Sequence, residues 1–222
     1  MKILVIPDIH ETKYWENNNF DAFDKIVFLG DYFDFHGKEP EGDKFENFLN
    51  ICKLKIKNDK VDLLLGNHDL SYILNERTNT YQYYNSFKIN ELLKNNINLF
   101  QIAVEYDSYV FSHAGISKKF MEKNNLFSLK DINDKKTDKI MKLSSMDWSG
   151  CGYSVYNSPV WIRPNNLLQN AAFEKQVVGH TAFGDKCVMY SHNGNNVIFC
   201  DTIKHDKFFE LDTKKEYKYN EV

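Results

Sequence analysis

Four of the seven histidines in this 222-residue chain stand directly after short apolar runs, each accompanied by Asp, Asn or Gly. In Asp8-Ile9-His10 a carboxylate and an imidazole are two residues apart. Residues i and i+2 of extended backbone point the same way, so the two groups can converge on one ion. Taken alone, the pair is also compatible with a turn capped by Asp8. Asp31 follows Gly30, whose freedom permits a sharp turn. Its two oxygens suit a bridge between two cations about 3.5–4 Å apart. Gly66-Asn67-His68-Asp69 offers a neutral amide oxygen for a hard or borderline cation, beside an imidazole of the type that titrates near neutral pH. His113 and His180 supply two further imidazoles at similar junctions. Asp8, His10 and Asp31 at one ion, with Asn67, His113 and His180 at a second that shares Asp31, would make a dinuclear site. His36, His192 and His205 fall outside this pattern and read as surface or loop residues.

The elements that must position these groups can be read from the apolar runs. Lys2–Pro7, Lys25–Leu29 and Val61–Leu65 have the length and bounds of buried strands, each ending in a ligand-type residue. Asp43–Lys57 carries apolar residues at helical spacing and would be the crossover between the second and third strands. Such a connection implies parallel pairing with right-handed topology, and ligands gather at the shared carboxyl edge of parallel strands. Leu70–Leu99 reads as mostly helical, with an irregular middle at Arg77–Asn85 forming part of a rim. Leu99–Val104 and Ser108–Ser112 read as strands about an Asp107-Ser108 turn, and Ser117 as the N-cap of a short helix. Gln176–Val178 leads into Gly179-His180-Thr181. Lys186–Tyr190, Asn196–Cys200 and Phe208–Leu211 are expected to close the fold as antiparallel strands with an Asn193-Gly194 turn. The stretch from Phe127 to Pro164 resists assignment. No repeat or linker divides the chain, so a single domain over residues 1–222 is expected.

Composition narrows the functional classes. Apolar residues make up 42% of the chain and aromatics 15%, which argues against disorder. A net charge of -3 gives no sign of a nucleic-acid or anionic-membrane surface. No apolar run approaches the roughly 18 residues of a membrane span. The first strand-like run follows Met1-Lys2 without a signal-peptide pattern, so a cytoplasmic location is expected. Cys52, Cys151, Cys187 and Cys200 have no zinc-type spacing and read as reduced thiols.

In order along the chain, Asp8-x-His10, Gly30-Asp31-x-x-Asp34, Gly66-Asn67-His68-Asp69, Ser112-His113-Ala114-Gly115 and Gly179-His180-Thr181 resemble the motifs of the calcineurin-like metallophosphoesterases. The nearest branch is that of bacterial and phage serine/threonine protein phosphatases and diadenosine tetraphosphate hydrolases. The resemblance runs from residue 3 to about residue 202. It implies an α/β fold of the four-layer α/β/β/α sandwich type and two divalent metal ions, Mn first, with Fe, Zn or Mg as alternatives. Metal one would be held by Asp8, His10 and Asp31, and metal two by Asp31, Asn67, His113 and His180. A hydroxide between the metals would attack phosphorus in line, and His68, steered by Asp34, would protonate the leaving oxygen. The branch usually carries Arg-Gly after the second Asp of its Gly-Asp motif, where this chain has Phe35-His36. Only two arginines are present. Arg163, in Trp161-Ile162-Arg163-Pro164, is the first candidate for a phosphate clamp, followed by Arg77 and His36. The expected substrate is a phosphorylated one: a phosphoprotein or other phosphomonoester, or alternatively a dinucleoside polyphosphate or nucleotide. A non-catalytic scaffold is the third reading, and the full set of ligands plus His68 speaks against it.

Overall fold

The computed structural model describes residues 1–35, 42–143, 152–202 and 208–217. Ten strands run in chain order as β1 (Lys2–Ile6), β2 (Lys25–Phe28), β3 (Val61–Leu64), β4 (Phe100–Gln101), β5 (Ala103–Tyr106), β6 (Tyr109–Ser112), β7 (Lys175–Val178), β8 (Val188–His192), β9 (Asn195–Phe199) and β10 (Phe209–Asp212). Six α-helices accompany them: α1 (Lys44–Lys57), α2 (Asn67–Leu74), α3 (Ser86–Asn95), α4 (Lys118–Lys123), α5 (Leu129–Asp134) and α6 (Pro164–Asn170). The strands form two five-stranded sheets, ordered β10-β1-β2-β3-β4 and β5-β6-β7-β9-β8. Within the first, β1 to β4 are mutually parallel and β10 is antiparallel to β1.

Side-chain alternation explains the layering. Ile3, Val5, Val27, Leu29 and Leu64 leave one face of the first sheet and meet Phe111, Val177, Met189 and Ile198 of the second. From the opposite face, Leu4, Ile6, Ile26, Phe28 and Leu63 pack with Phe48, Ile51 and Cys52 of α1 and Ile89 and Leu93 of α3. Val178, Val197 and Phe199 on the outer face of the second sheet cover Leu167 of α6. The result is helix, sheet, sheet, helix. Both faces of β1 to β3 are buried, which is why their sequences are nearly continuous apolar runs, interrupted in β3 by Asp62, which pairs with Lys55 and Tyr106.

Local signals set the ends of these elements. Asp43 caps α1, accepting from Phe45 N at 2.8 Å and Glu46 N at 3.4 Å, while Lys55 and Lys57 sit in its last turn where the helix dipole favours cations. Phe48 is 1% exposed at the middle of this crossover. Phe48→Ala would cost about 3–5 kcal/mol, the usual range for a buried aromatic. Ser117 caps α4 as expected, accepting from Phe120 N.

Three expectations need correction. Leu99–Val104 is not one strand: Phe100 pairs with Leu63 in the first sheet, whereas Ala103 pairs with Ser112 in the second. Asn133 Oδ1 makes the switch possible by accepting from both Ile102 N at 2.7 Å and Ala103 N at 3.1 Å. The closing strands are not one antiparallel set either. β8 and β9 form a hairpin, with Asn193 and Gly194 both at positive φ, but β9 runs parallel to β7 and β10 returns to β1 in the other sheet. Finally, α2 begins at Asn67 rather than after the tetrapeptide, with Gly66 as its N-cap.

Candidate metal centre

The carboxyl ends of β1, β2 and β3 meet those of β6 and β7 at one edge of the sandwich. Asp8 and His10 follow β1, Asp31 follows β2, Asn67 opens α2 after β3, and His113 and His180 follow β6 and β7. All but His180 are nearly inaccessible, with exposures of 5% or less. One ligand-type atom from each of Asp8, His10 and Asp31 lies within 4.8 Å of the others. His113 Nε2 stands 2.9 Å from Asn67 Oδ1, 3.1 Å from His180 Nδ1 and 3.5 Å from Asp31 Oδ2. Six side chains from two sheets thus meet around Asp31. His10, Asp31, Asp34 and His180 all have positive φ, so backbone strain is concentrated at this edge.

Close backbone approach is built in. A Cβ at Gly66 would strike Asp31 Oδ1, and one at Gly179 would strike Asp8 Oδ1. The Asp8 carboxylate instead accepts from His180 N at 3.1 and 3.2 Å, tying the two sheets together. Asp69, left without a role by sequence reasoning, is fully buried and serves as a clasp. It accepts from Asp31 N and Gly66 N at 2.8 Å and from Tyr32 N at 2.9 Å, locking the β2 and β3 turns in register. Its place in the tetrapeptide was the available signal.

Proton inventory shows what the cluster lacks. His10 Nδ1 can only donate to the Asp34 carbonyl, at 2.8 Å, and His113 Nδ1 only to the Leu29 carbonyl, at 2.9 Å. In a neutral His113 the Nε2 lone pair then faces Asn67 and His180. His10 Nε2 faces Asp8 Oδ2 at 3.9 Å and Asp31 Oδ2 at 3.8 Å. Burial, reinforced by Asp201 at Asp8 and by Asp8 at Asp31, holds both carboxyls well above the usual range. Burial also pushes His113 down to about 3 and His180 well below its ordinary value, the latter helped by His113 and Arg163. A buried set of carboxyl and imidazole groups that resists ionisation on its own suits divalent cations, which favour ionised carboxylates and neutral imidazoles together. The residues fit metal ions, and Asp8, His10, Asp31, Asn67, His113 and His180 are the ones that would hold them.

His68 occupies the next position. Its Nδ1 donates to Asp34 Oδ2 at 2.9 Å, and its ring meets the His10 ring edge to face with centroids 5.3 Å apart. Asp34 is fully buried and also accepts from the Tyr72 hydroxyl, from Thr78 Oγ1 at 3.2 Å and from Gln82 Nε2 at 3.4 Å. The segment Thr78–Gln82 is thus strapped onto Asp34. Sequence reasoning identified this stretch only as a rim, because nothing local marks Tyr72 or Gln82 as partners of a residue some forty positions earlier.

The substrate-contact candidates separate. Arg163 is half-buried beside the cluster, donating to the His180 carbonyl at 3.2 Å and to Thr181 Oγ1 at 2.9 Å. Arg77 is exposed, with its guanidinium 5.0 Å from the Tyr83 ring centre, on the loop that reaches Asp34 and His68. His36 lies outside the described residues, as do Cys151 and His205. His192 is exposed on β8. Cys52 and Cys200 are buried, and Cys187 Sγ donates to the Cys200 carbonyl at 3.6 Å.

Among the described residues no helix is long and apolar enough to cross a membrane. No curated protein matches the chain by sequence. Among solved structures, the cold-active protein-tyrosine phosphatase of a psychrophilic Shewanella species superposes with TM-score 0.62 at 20% identity, covering 93% of this chain and 72% of that one. A further structure of a cold-active protein tyrosine phosphatase gives TM-score 0.60 at 19% identity, with 93% and 71% covered. At these identities the likeness establishes the fold. The family model for calcineurin-like phosphoesterases matches residues 1–201, and with its motif residues gathered at one buried edge, the chain belongs to the calcineurin-like phosphoesterase family.

Proposed function

We propose that this chain is a two-metal phosphomonoesterase of the protein-phosphatase type, with Mn as the first candidate metal. The observation that carries the reading is the convergence of two ligand groups on Asp31 at one buried edge: ligand atoms of Asp8, His10 and Asp31 within 4.8 Å of one another, and His113 Nε2 at 2.9 Å from Asn67 Oδ1 and 3.5 Å from Asp31 Oδ2. Buried carboxyl, amide and imidazole groups at these separations suit cations lying among them. When bound, a pair of divalent cations supplies a water of lowered pKa and neutralises the phosphoryl oxygens.

The chain's own residues do the rest. Asp31 sits between the Asp8/His10 group and the Asn67/His113/His180 group and is the shared ligand. Asp69 fixes the turn that carries it. His68, held through Nδ1 by Asp34, presents its Nε2 edge outward and would deliver the proton to the departing oxygen. Arg163 is the candidate to hold the phosphate, since a guanidinium matches its oxygens and this one lies beside His180. Hydrolysis of a dinucleoside polyphosphate is the second reading, favoured by the exposed rings of Tyr83 and Tyr84 near the loop that reaches His68.

An Mn-supplemented panel of p-nitrophenyl phosphate, its bis-ester, a phosphopeptide and diadenosine tetraphosphate separates these readings. Turnover of the two monoesters above the others is expected. Preference for diadenosine tetraphosphate would select the second reading, and no metal-dependent turnover of any of the four would overturn both.

A further inference from the structure

Glu11 is a buried acid in a conformation that suits glycine. It follows His10, is 1% exposed, and has φ of +66°. A non-glycine residue in the left-handed region costs folding free energy that glycine would not, and such strain persists where something else requires the side chain. Glu11 Oε1 accepts from Gln82 Nε2 and pairs with Lys44 Nζ at 3.5 Å. The same Gln82 Nε2 lies 3.4 Å from Asp34 Oδ1, and Gln82 N donates to the Tyr72 hydroxyl at 3.0 Å. Tyr72 in turn donates to Asp34 Oδ1. Lys44 and Asn85 donate to Gln82 Oε1, so the amide cannot turn over without losing both. One glutamine amide is therefore pinned between two buried carboxylates that belong to different turns.

We infer that Glu11 is a positioning residue: its carboxylate anchors Gln82 and, through Gln82 and Tyr72, fixes Asp34 and hence the ring of His68. The inference rests on the proposed role of His68 as proton donor. The competing account is that Glu11 and Lys44 form an ion pair that merely fastens the start of α1 to the β1 turn.

Glu11→Gly separates the two, because it removes the anchor and the strain together. The variant should keep its Mn content and KM, whatever the balance in its melting temperature between relieved strain and the unpaired Gln82 and Lys44 donors. With phenyl phosphate, whose leaving oxygen needs a proton, kcat should fall on the order of 10-fold, while p-nitrophenyl phosphate should lose less than about 3-fold. Glu11→Gln keeps an acceptor for Gln82 Nε2 and should stay within about 2-fold of wild type on both esters. Wild-type rates on both substrates in Glu11→Gly, an equal loss on both, or a loss of bound Mn would each overturn the inference. A wild type that hydrolyses neither ester would instead bring down the phosphatase reading, and this inference with it.

Discussion

The two sheets contribute unequal halves to the site. From the first come Asp8, His10, Asp31 and Asn67, at three successive strand ends that neighbour one another in the sheet. From the second come two imidazoles, 67 residues apart in sequence, at the ends of adjacent strands β6 and β7. Burial acts on them in opposite senses, resisting charge on the carboxyls and on the imidazoles alike. The first half is acidic and stitched by backbone N–H groups; the second is two imidazoles tied to the first sheet by His113 Nδ1 at the Leu29 carbonyl and His180 N at Asp8. Cations bound between the halves, as proposed, would reconcile them, because they favour ionised carboxylates and neutral imidazoles together.

Breaking the shared member should have the largest effect. Asp31→Ala removes the carboxylate that belongs to both groups, so metal-supported hydrolysis should fall on the order of 10³-fold or more, and by more than in His180→Ala. Equal losses in the two variants, measured as kcat/KM at saturating Mn, would contradict the shared role. His68→Asn leaves both halves in place. It should keep its metal while kcat on a poor leaving group drops on the order of 10²-fold, with a smaller loss on p-nitrophenyl phosphate. An equal loss on the two esters would remove His68 from proton delivery.

The acidic half also sets a pH dependence. Burial raises Asp69 and Asp201 to about 7, against about 3.9 for Asp in an unfolded chain. Between those values the folded, metal-free protein holds protons that the unfolded chain has lost. With Asp8 and Asp31 raised as well, the four carboxyls give a stability that falls as pH rises from about 4 to about 7, outweighing the opposite slope of His113 and His180 below about 6.5. Saturating Mn should flatten that fall, by partly offsetting the cost of ionising the neighbouring carboxylates. Thermal melts at several pH values with and without metal measure it, and a metal-free stability that rises through this window would show that the folded chain does not hold these carboxyls above their unfolded values.

The same contrast governs what the sequence could reveal. Strand ends were legible because β1, β2, β3, β6 and β7 are apolar runs stopped by Gly, Pro or Ser and followed by a ligand type, a pattern that sterics and burial impose locally. Sheet membership was not. Leu99–Val104 is apolar but for Gln101 and contributes buried residues to both sheets, so nothing in its periodicity marks the switch at Ile102, which an asparagine side chain from α5 makes possible. β9 resembles a hairpin partner of β8 and is one, yet its other edge pairs parallel with β7, a long-range choice that no local pattern encodes. Asp69, Tyr72, Gln82 and Glu11 escaped a functional reading for a related reason. Each acts through a partner distant in sequence, and the left-handed φ that singles out Glu11 has no signature in residue type.

The most direct measurement is the number of divalent cations bound per chain, by equilibrium dialysis against Mn followed by elemental analysis. Wild type should hold close to two, and the His113→Ala/His180→Ala double variant close to one, retained by Asp8, His10 and Asp31. A wild-type chain that binds none, or a double variant that still binds two, would contradict a cation pair shared between the sheets.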